Sequence, residues 1–293
     1  MPDKKVHLVL GSGGARGVAH IAIIEELEKA GYEIVEVIGC SMGAVVGGIY
    51  AAGHLPEYKE WITGLSRRGV FDLLDFTFAK QGFVKGEKLF AKHAEVTGSE
   101  NIEDFSIPFT AVATDMRHHK EVHFKSGDLY KALRASVSIP GFFVPVVEEG
   151  QVLVDGGVLN PLPVNLVEKE EDAIIVAVNL NGRPDPKYDK KPEPDKLEQM
   201  QNWFDKMLPD SMKSSRKTKV KSELPAEEES FSLIELMDST FSFTQDRLTE
   251  LTIEMYQPDH LIEIPRNACG VFDFDKGKKV IEIGRESYHK AMG

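Results

Sequence analysis

Twice within the first 53 residues, an apolar run passes through a glycine cluster into a stretch with helical character. Val6–Leu10 leads into Gly11-Ser12-Gly13-Gly14-Ala15-Arg16-Gly17. Beyond it Ala19, Ile21, Ile23, Ile24, Leu27 and Ala30 recur near helical spacing as far as Gly31, a natural C-terminal stop. Ile34–Ile38 then leads into Gly39-Cys40-Ser41-Met42-Gly43 and the small-residue run 44–52, which ends at Gly53. Consecutive strand–turn–helix units constrain a chain to parallel strands joined by right-handed crossovers. Further strands are expected at Phe109–Thr114, His119–Phe124, Gln151–Val154, Ala173–Asn179 and His260–Ile264, most of them short and apolar, as strands covered on both faces are. Helices are expected over Phe231–Tyr256 and Lys276–Ala291. The fold class is α/β.

Composition sets the outer bounds. The 293 residues, 42% of them hydrophobic, can bury a sizeable core, and they read as a single domain, 1–293, carrying an insertion at 183–230. Lys and Arg number 35 against 47 Asp and Glu; a net charge of -12 lacks the positive field that nucleic-acid binding needs. No apolar run reaches the roughly 18 residues of a spanning helix, and the N-terminal run is too short for a signal-peptide core. Cys40 and Cys269 cannot make a disulfide framework, and no Cys/His cluster has metal-ligand spacing. The expectation is a cytoplasmic protein without metal or cofactor, its oligomeric state not written in the sequence.

The 183–230 segment is proline-rich and strongly charged. Inside it Leu197, Met200, Trp203, Phe204, Met207 and Leu208 fall along one helical face, followed by Lys213, Arg216, Lys217, Lys219 and Lys221 without an intervening acid. Residues 197–221 therefore read as a peripheral membrane contact at the inner face of the membrane, as a lid, or as a helix packed on the core.

Gly39-x-Ser41-x-Gly43 at a strand-to-helix junction has the pattern of a nucleophile elbow, where a sharp turn lifts the serine oxygen clear and a Cβ at either flank would clash. The following helix would aim its free N–H groups and positive dipole end at an oxyanion formed there. The same five residues also fit a plain glycine–serine turn. The first cluster fails as a dinucleotide fingerprint: starting from Gly11 and Gly13, the third glycine falls on Arg16, and ending on Gly14 and Gly17 puts Ser12 first. Nor does Gly-Lys-Ser/Thr follow, as a P-loop requires. What is left is a run of amides, from Gly13 and Gly14 above all, able to cradle negative charge, or else a tight turn that packs the first helix. No histidine stands where a hydrolase triad needs one: after residue 123 only His260 and His289 occur, one opening a strand and one near the end of a polar helix. Asp155-Gly156-Gly157 follows a strand, and taken alone reads as a β-turn aspartate or as a carboxylate presented at the sheet edge.

In their order, Gly-Ser-Gly-Gly-Ala-Arg-Gly at 11–17, Gly-Cys-Ser-Met-Gly at 39–43 and Asp-Gly-Gly at 155–157 resemble the patatin-like phospholipase family, particularly its bacterial cytoplasmic branch. Arg134–Phe143 and Ala113-Thr114-Asp115 are similar to other family stretches, so that the resemblance covers about residues 6–180 and the tail from roughly 256. It implies a three-layer α/β/α fold around a mostly parallel sheet, with a polar, partly helical insertion. It also implies lipid acyl hydrolysis, of the phospholipase A or lysophospholipase kind, by a Ser–Asp dyad without histidine. By position Ser41 is then the nucleophile and Asp155 the base. Gly13 and Gly14, with Arg16 beside them, form the oxyanion hole, and Gly39 and Gly43 flank the elbow. Ser12 stands where many members carry glycine.

A carboxylate of pKa about 3.9 is a weak base at neutral pH, so either burial raises it or the oxyanion hole carries more of the barrier; the second is the expectation here. A dyad also predicts a pH–rate profile without a histidine limb near about 6.5. A lipid-sensing adaptor with little turnover, and a thioesterase or carboxylesterase, are the alternatives on the same scaffold.

Overall fold

Strand β1 (Lys4–Leu10) enters the first glycine turn, which winds as a 3-10 turn over Gly14–Val18 before helix α1 (Ala19–Lys29). Strand β2 (Tyr32–Cys40) then gives way at Ser41 to α2 (Met42–Ala51). Both expected units form, and β1 pairs with β2 in parallel. Four short helices follow: α3 (Leu55–Gly64), α4 (Arg67–Leu73), α5 (Glu87–Thr97) and, after the hairpin β3 (Phe109–Asp115) and β4 (Lys120–Phe124), α6 (Leu129–Ser136). Strands β5 (Val146–Glu148), β6 (Gln151–Asp155) and β7 (Ala173–Gly182) lead to α7 (Leu233–Tyr256), β8 (His260–Pro265) and α8 (Gly277–Met292). This computed structural model describes residues 4–75, 77, 84–98, 100–168, 170–188 and 233–293. The expected amphipathic run 197–208 and basic run 213–221 lie outside the described residues, as does the insertion from 189 onward.

The strands make one sheet in the order β5-β6-β3-β2-β1-β7-β8, with β4 on the other edge of β3. Pairing is parallel from β3 through β2, β1 and β7 to β8, and antiparallel among β3, β4, β5 and β6. The central strands are apolar on both faces, as parallel strands between two layers must be. Val6, Leu8 and Leu10 join α1, α2 and α8 in the larger core, whereas Val9, Ile175 and Ala177 face Leu162, Val164 and Ile253 of α7. Helices thus flank a mostly parallel mixed sheet in a three-layer α/β/α arrangement. Among the described residues no helix is long and apolar enough to cross a membrane.

One register detail positions the chemistry. Along a single edge of β3, residues 109–112 pair with β2 up to Cys40, and residues 113–115 pair with β6 back from Asp155. Both are on the side opposite β4, which pairs with residues 111–115. Two strands running in opposite directions therefore meet end to end, and their C-terminal residues become neighbours.

Candidate active site

Ser41 follows the last residue of β2 with φ 55 and ψ -123, a left-handed backbone conformation that costs a non-glycine residue about 1–3 kcal/mol. Its neighbours permit the turn because they lack a Cβ: one on Gly43 would sit 2.0 Å from the carbonyl oxygen of Leu10, and one on Gly39 2.5 Å from Cα of Ala44. The Ser41 amide donates to Oγ of Ser136 at 2.9 Å, and that hydroxyl donates in turn to the Val112 carbonyl at 2.7 Å, which pins the turn to β3. The Ser41 side chain is thereby aimed across the gap between the two strand ends. Its Oγ donates to Oδ2 of Asp155 at 2.6 Å.

Asp155 is 1% exposed. Its Oδ1 accepts from the Gly157 amide at 2.7 Å, and its own amide donates to the Ser138 carbonyl at 3.0 Å. Burial penalises the ionised form and pushes the carboxyl up to about 6, against the opposing pull of the Ser41 hydroxyl and the Gly157 amide. Of the two remedies for a weak base, sequence favours the oxyanion hole; the structure shows that burial also raises the basicity of Asp155. The Cys40 thiol lies 4.0 Å from Asp155 Oδ1, and burial with the nearby carboxylate raises it far above the ordinary thiol range.

The first glycine turn abuts this elbow, for a Cβ on Gly17 would lie 2.4 Å from Cβ of Met42. The amides of Ser12 and Ala15 donate to the Pro161 and Val271 carbonyls at 2.9 and 2.8 Å; among the described residues those of Gly13 and Gly14, between them, have no backbone acceptor. Gly14 has φ 58, and a Cβ there would strike Val271 at 2.5 Å, so both conformation and space require glycine. The buried Arg16 guanidinium turns away toward the sheet and the C-terminal segment. Nε donates to the Leu180 carbonyl at 2.9 Å, Nη2 to Asn181 Oδ1 at 2.8 Å, and Nη1 to the carbonyls of Cys269 and Arg266 at 3.4 and 3.5 Å. This side chain braces the glycine turn.

Among the described residues no histidine bonds Ser41 or Asp155. His20 is buried beneath the turn, with Nε2 3.1 Å from the Gly11 carbonyl, and burial lowers it to about 4. His260 opens β8, and His289 is an exposed residue of α8 near Glu26.

An apolar cavity of about 210 Å³ is lined by Ser41 and Gly14 together with side chains of α3, α4, α5 and the 137–143 turn, among them Tyr58, Trp61, Phe90 and Phe143. Part of its wall, from α3, α4 and α5, arises in the region between Gly53 and Phe109, where sequence patterning assigns no element. Ser136 was missed as well, although it lies in the Arg134–Phe143 stretch on which part of the resemblance rests. The geometry brings together a hydroxyl, a carboxylate and an apolar chamber that Gly14 also lines, a set suited to acyl transfer from an ester with a hydrocarbon tail.

Known proteins resemble this chain in family and in fold. The family model described as patatin-like phospholipase matches residues 8–167. An uncharacterized NTE family protein of Mycobacterium bovis is 34% identical, over 98% of this chain and 91% of its own length. Lysophospholipase nte1 of Emericella nidulans is 33% identical over 62% of this chain, which spans only 12% of that much longer protein. Among solved structures, VipD from Legionella pneumophila superposes with a TM-score of 0.57 over 99% of this chain and 66% of that one, at 13% identity, a likeness of fold. On the matched stretch of more than half its length, and on a relative shared nearly end to end, the chain belongs to the patatin-like phospholipase family.

Proposed function

We propose that the protein is a serine lipid acyl hydrolase that cleaves carboxylic esters of the phospholipase A or lysophospholipase kind through Ser41 and Asp155. The hydrogen bond from Ser41 Oγ to Asp155 Oδ2, at the wall of an apolar cavity, carries this reading. Membership of a phospholipase family and likeness to lysophospholipases support lipid ester hydrolysis in general.

In this mechanism Ser41 Oγ attacks the ester carbonyl carbon while its proton passes to Asp155. The amides of Gly13 and Gly14, on a turn braced by Arg16, hold the oxyanion, where one such donor is worth about 2.7–4 kcal/mol in the transition state. Collapse breaks the bond to the alcohol oxygen, which takes the proton from Asp155, and the acyl group stays on Ser41. Water then attacks the acyl-enzyme, giving a proton to Asp155; the second collapse releases the fatty acid and returns the proton to Ser41. The hydrocarbon tail lies in the apolar cavity throughout.

The test is hydrolysis of a lipid panel with Ser41→Ala as the blank, alongside labelling by a fluorophosphonate. Wild-type turnover with labelling at Ser41 is the expected result. A chain that neither labels nor turns over any ester would favour the adaptor alternative.

A further inference from the structure

Gln245, on the α7 face that packs over the Gly156–Val158 turn, is 9% exposed, and its Nε2 has no hydrogen-bond partner among the described residues. Its neighbours are the polar atoms of the reacting centre. A Cβ placed on Gly157 would lie 2.1 Å from Gln245 Nε2, 3.0 Å from Asp155 Oδ1 and 3.2 Å from Ser12 Oγ, so the amide, the carboxylate oxygen and the hydroxyl crowd one point that has no room for a side chain. None of these three residues lines the apolar cavity, whereas Ser41 does. The dyad thus stands between an apolar chamber and a close-packed cluster of polar groups.

This cluster is held in place from both sides. Asp246, next to Gln245, pairs with Arg266, and Arg266 also donates to the Asn181 carbonyl at 3.4 Å. Asn181 Nδ2 donates to the Ser12 carbonyl at 3.1 Å. Helix α7 and the first glycine turn are joined by this chain of bonds, and Gln245 and Ser12 are fixed relative to each other.

A buried amide donor kept without an acceptor is expensive, and such groups are retained where an acceptor arrives. In ester cleavage the oxygen that arrives beside the base is that of the departing alcohol, which must collect the proton Asp155 took from Ser41. We propose that Gln245 and Ser12 form a polar subsite for the alcohol half of the substrate, with Gln245 Nε2 donating to an oxygen of that half as the acyl–oxygen bond breaks. The inference rests on the Ser41–Asp155 mechanism proposed above. It specifies an oxygen-rich leaving group, a glyceryl or glycerophosphoryl moiety, opposite the apolar acyl chamber.

Three oleoyl or octanoyl esters separate the possibilities: 1-oleoylglycerol, 1-oleoyl-lysophosphatidylcholine, and p-nitrophenyl octanoate, whose leaving group departs readily without a donor. Gln245→Met should lose roughly 10–100-fold in kcat/KM on the two glyceryl esters while p-nitrophenyl octanoate turnover and fluorophosphonate labelling persist. Equal losses on both glyceryl esters place the acceptor on the glycerol; a loss confined to the lysophospholipid places it on the phosphate. Gln245→Ala, smaller than the native side chain, reads the same ratio where the methionine variant does not fold. In a folded variant, losses equal across all three esters, or absent from all, overturn the subsite alone. Absence of labelling and turnover in the wild type overturns the hydrolase mechanism and the subsite with it.

Discussion

Cys40 and Asp155 stand on adjacent rungs of the same edge of β3, opposite Val112 and Ala113, although they end strands of opposite direction and are 115 residues apart. The residue after Cys40 is then within reach of Asp155 without any extended loop. Two strand termini fixed in one hydrogen-bonded ladder hold the pair more rigidly than side chains carried on mobile connections, which is what preorganised chemistry needs.

Removing the hydroxyl should end catalysis. Ser41→Ala is expected to abolish both fluorophosphonate labelling and ester turnover. Asp155→Asn, which keeps the shape but not the basicity, is expected to lower kcat by about 10²–10⁴-fold, the usual span of a general base. Initial rates on one soluble ester check both, and an asparagine variant with undiminished kcat would exclude the carboxylate as the base.

The pH profile follows from the buried carboxyl. Because Asp155 must be ionised to accept the proton, kcat/KM should rise with pH through about 6 and level off above it. The limb belongs to Asp155, since burial holds His20 near 4 and His93 near 3. Replacing each of the nine histidines singly should leave it in place, and a histidine variant whose profile is flat through that range would contradict the assignment.

Stability should run the other way. Folding raises the Asp155 carboxyl from 3.8 to about 6, so the folded chain keeps a proton that the unfolded chain surrenders. The stabilisation from that proton is complete below about 4 and disappears as pH rises through about 6, a loss of about 3 kcal/mol by neutral pH. Asp155→Asn should therefore unfold at higher urea than wild type at pH 7, with the advantage vanishing in acid. Equal midpoints at both pH values would show that burial imposes no such strain.

The elbow tolerates no added carbon. Gly43→Ala drives a Cβ against the Leu10 carbonyl, a backbone atom that cannot rotate away, and should cost about 3 kcal/mol or prevent folding. Gly64→Ala, at the end of α3 with nothing within 4 Å, should stabilise by about 0.5–1 kcal/mol instead. Denaturant midpoints of the two variants should fall on opposite sides of the wild type.

If the hydrocarbon tail lies in the apolar chamber as proposed, the chamber should set acyl length. Val45, buried on α2, lines it with Ser41, and Val45→Phe places a ring where a hydrocarbon tail would lie. A series of p-nitrophenyl esters from acetyl to palmitoyl should show kcat/KM falling for long chains while acetate is spared. A uniform fall across the series would argue that the cavity does not take the tail.

Both glycine turns were legible because each is a local device, an apolar run broken by residues without side chains. Asp155 was not, and only its place in a familiar order distinguished it from a turn aspartate. Its meaning comes from the register of β6 on β3, a long-range pairing that no window of sequence contains. Its basicity was misjudged for a related reason: burial to 1% exposure is a property of the assembled chain. Helices α3, α4 and α5 escaped notice because side chains such as Trp61, Leu65 and Leu89 are only half-buried around an open chamber, which blurs the apolar face that periodicity would show. Gln245 gave no signal, since glutamine on a helix is ordinarily solvated, and only burial without a partner sets it apart.

The guanidinium of Arg16 has a consequence for how this chain can be divided. Among the described residues all of its acceptors, at 180, 181, 266 and 269, lie beyond the stretch matched to the family, and so does the Val271 carbonyl that receives the Ala15 amide. A fragment ending at residue 167 would carry Ser41 and Asp155 and yet leave the first glycine turn with its tether cut. Anyone seeking a minimal catalytic unit, or grafting this centre onto a foreign scaffold, must transplant both ends of the polypeptide together.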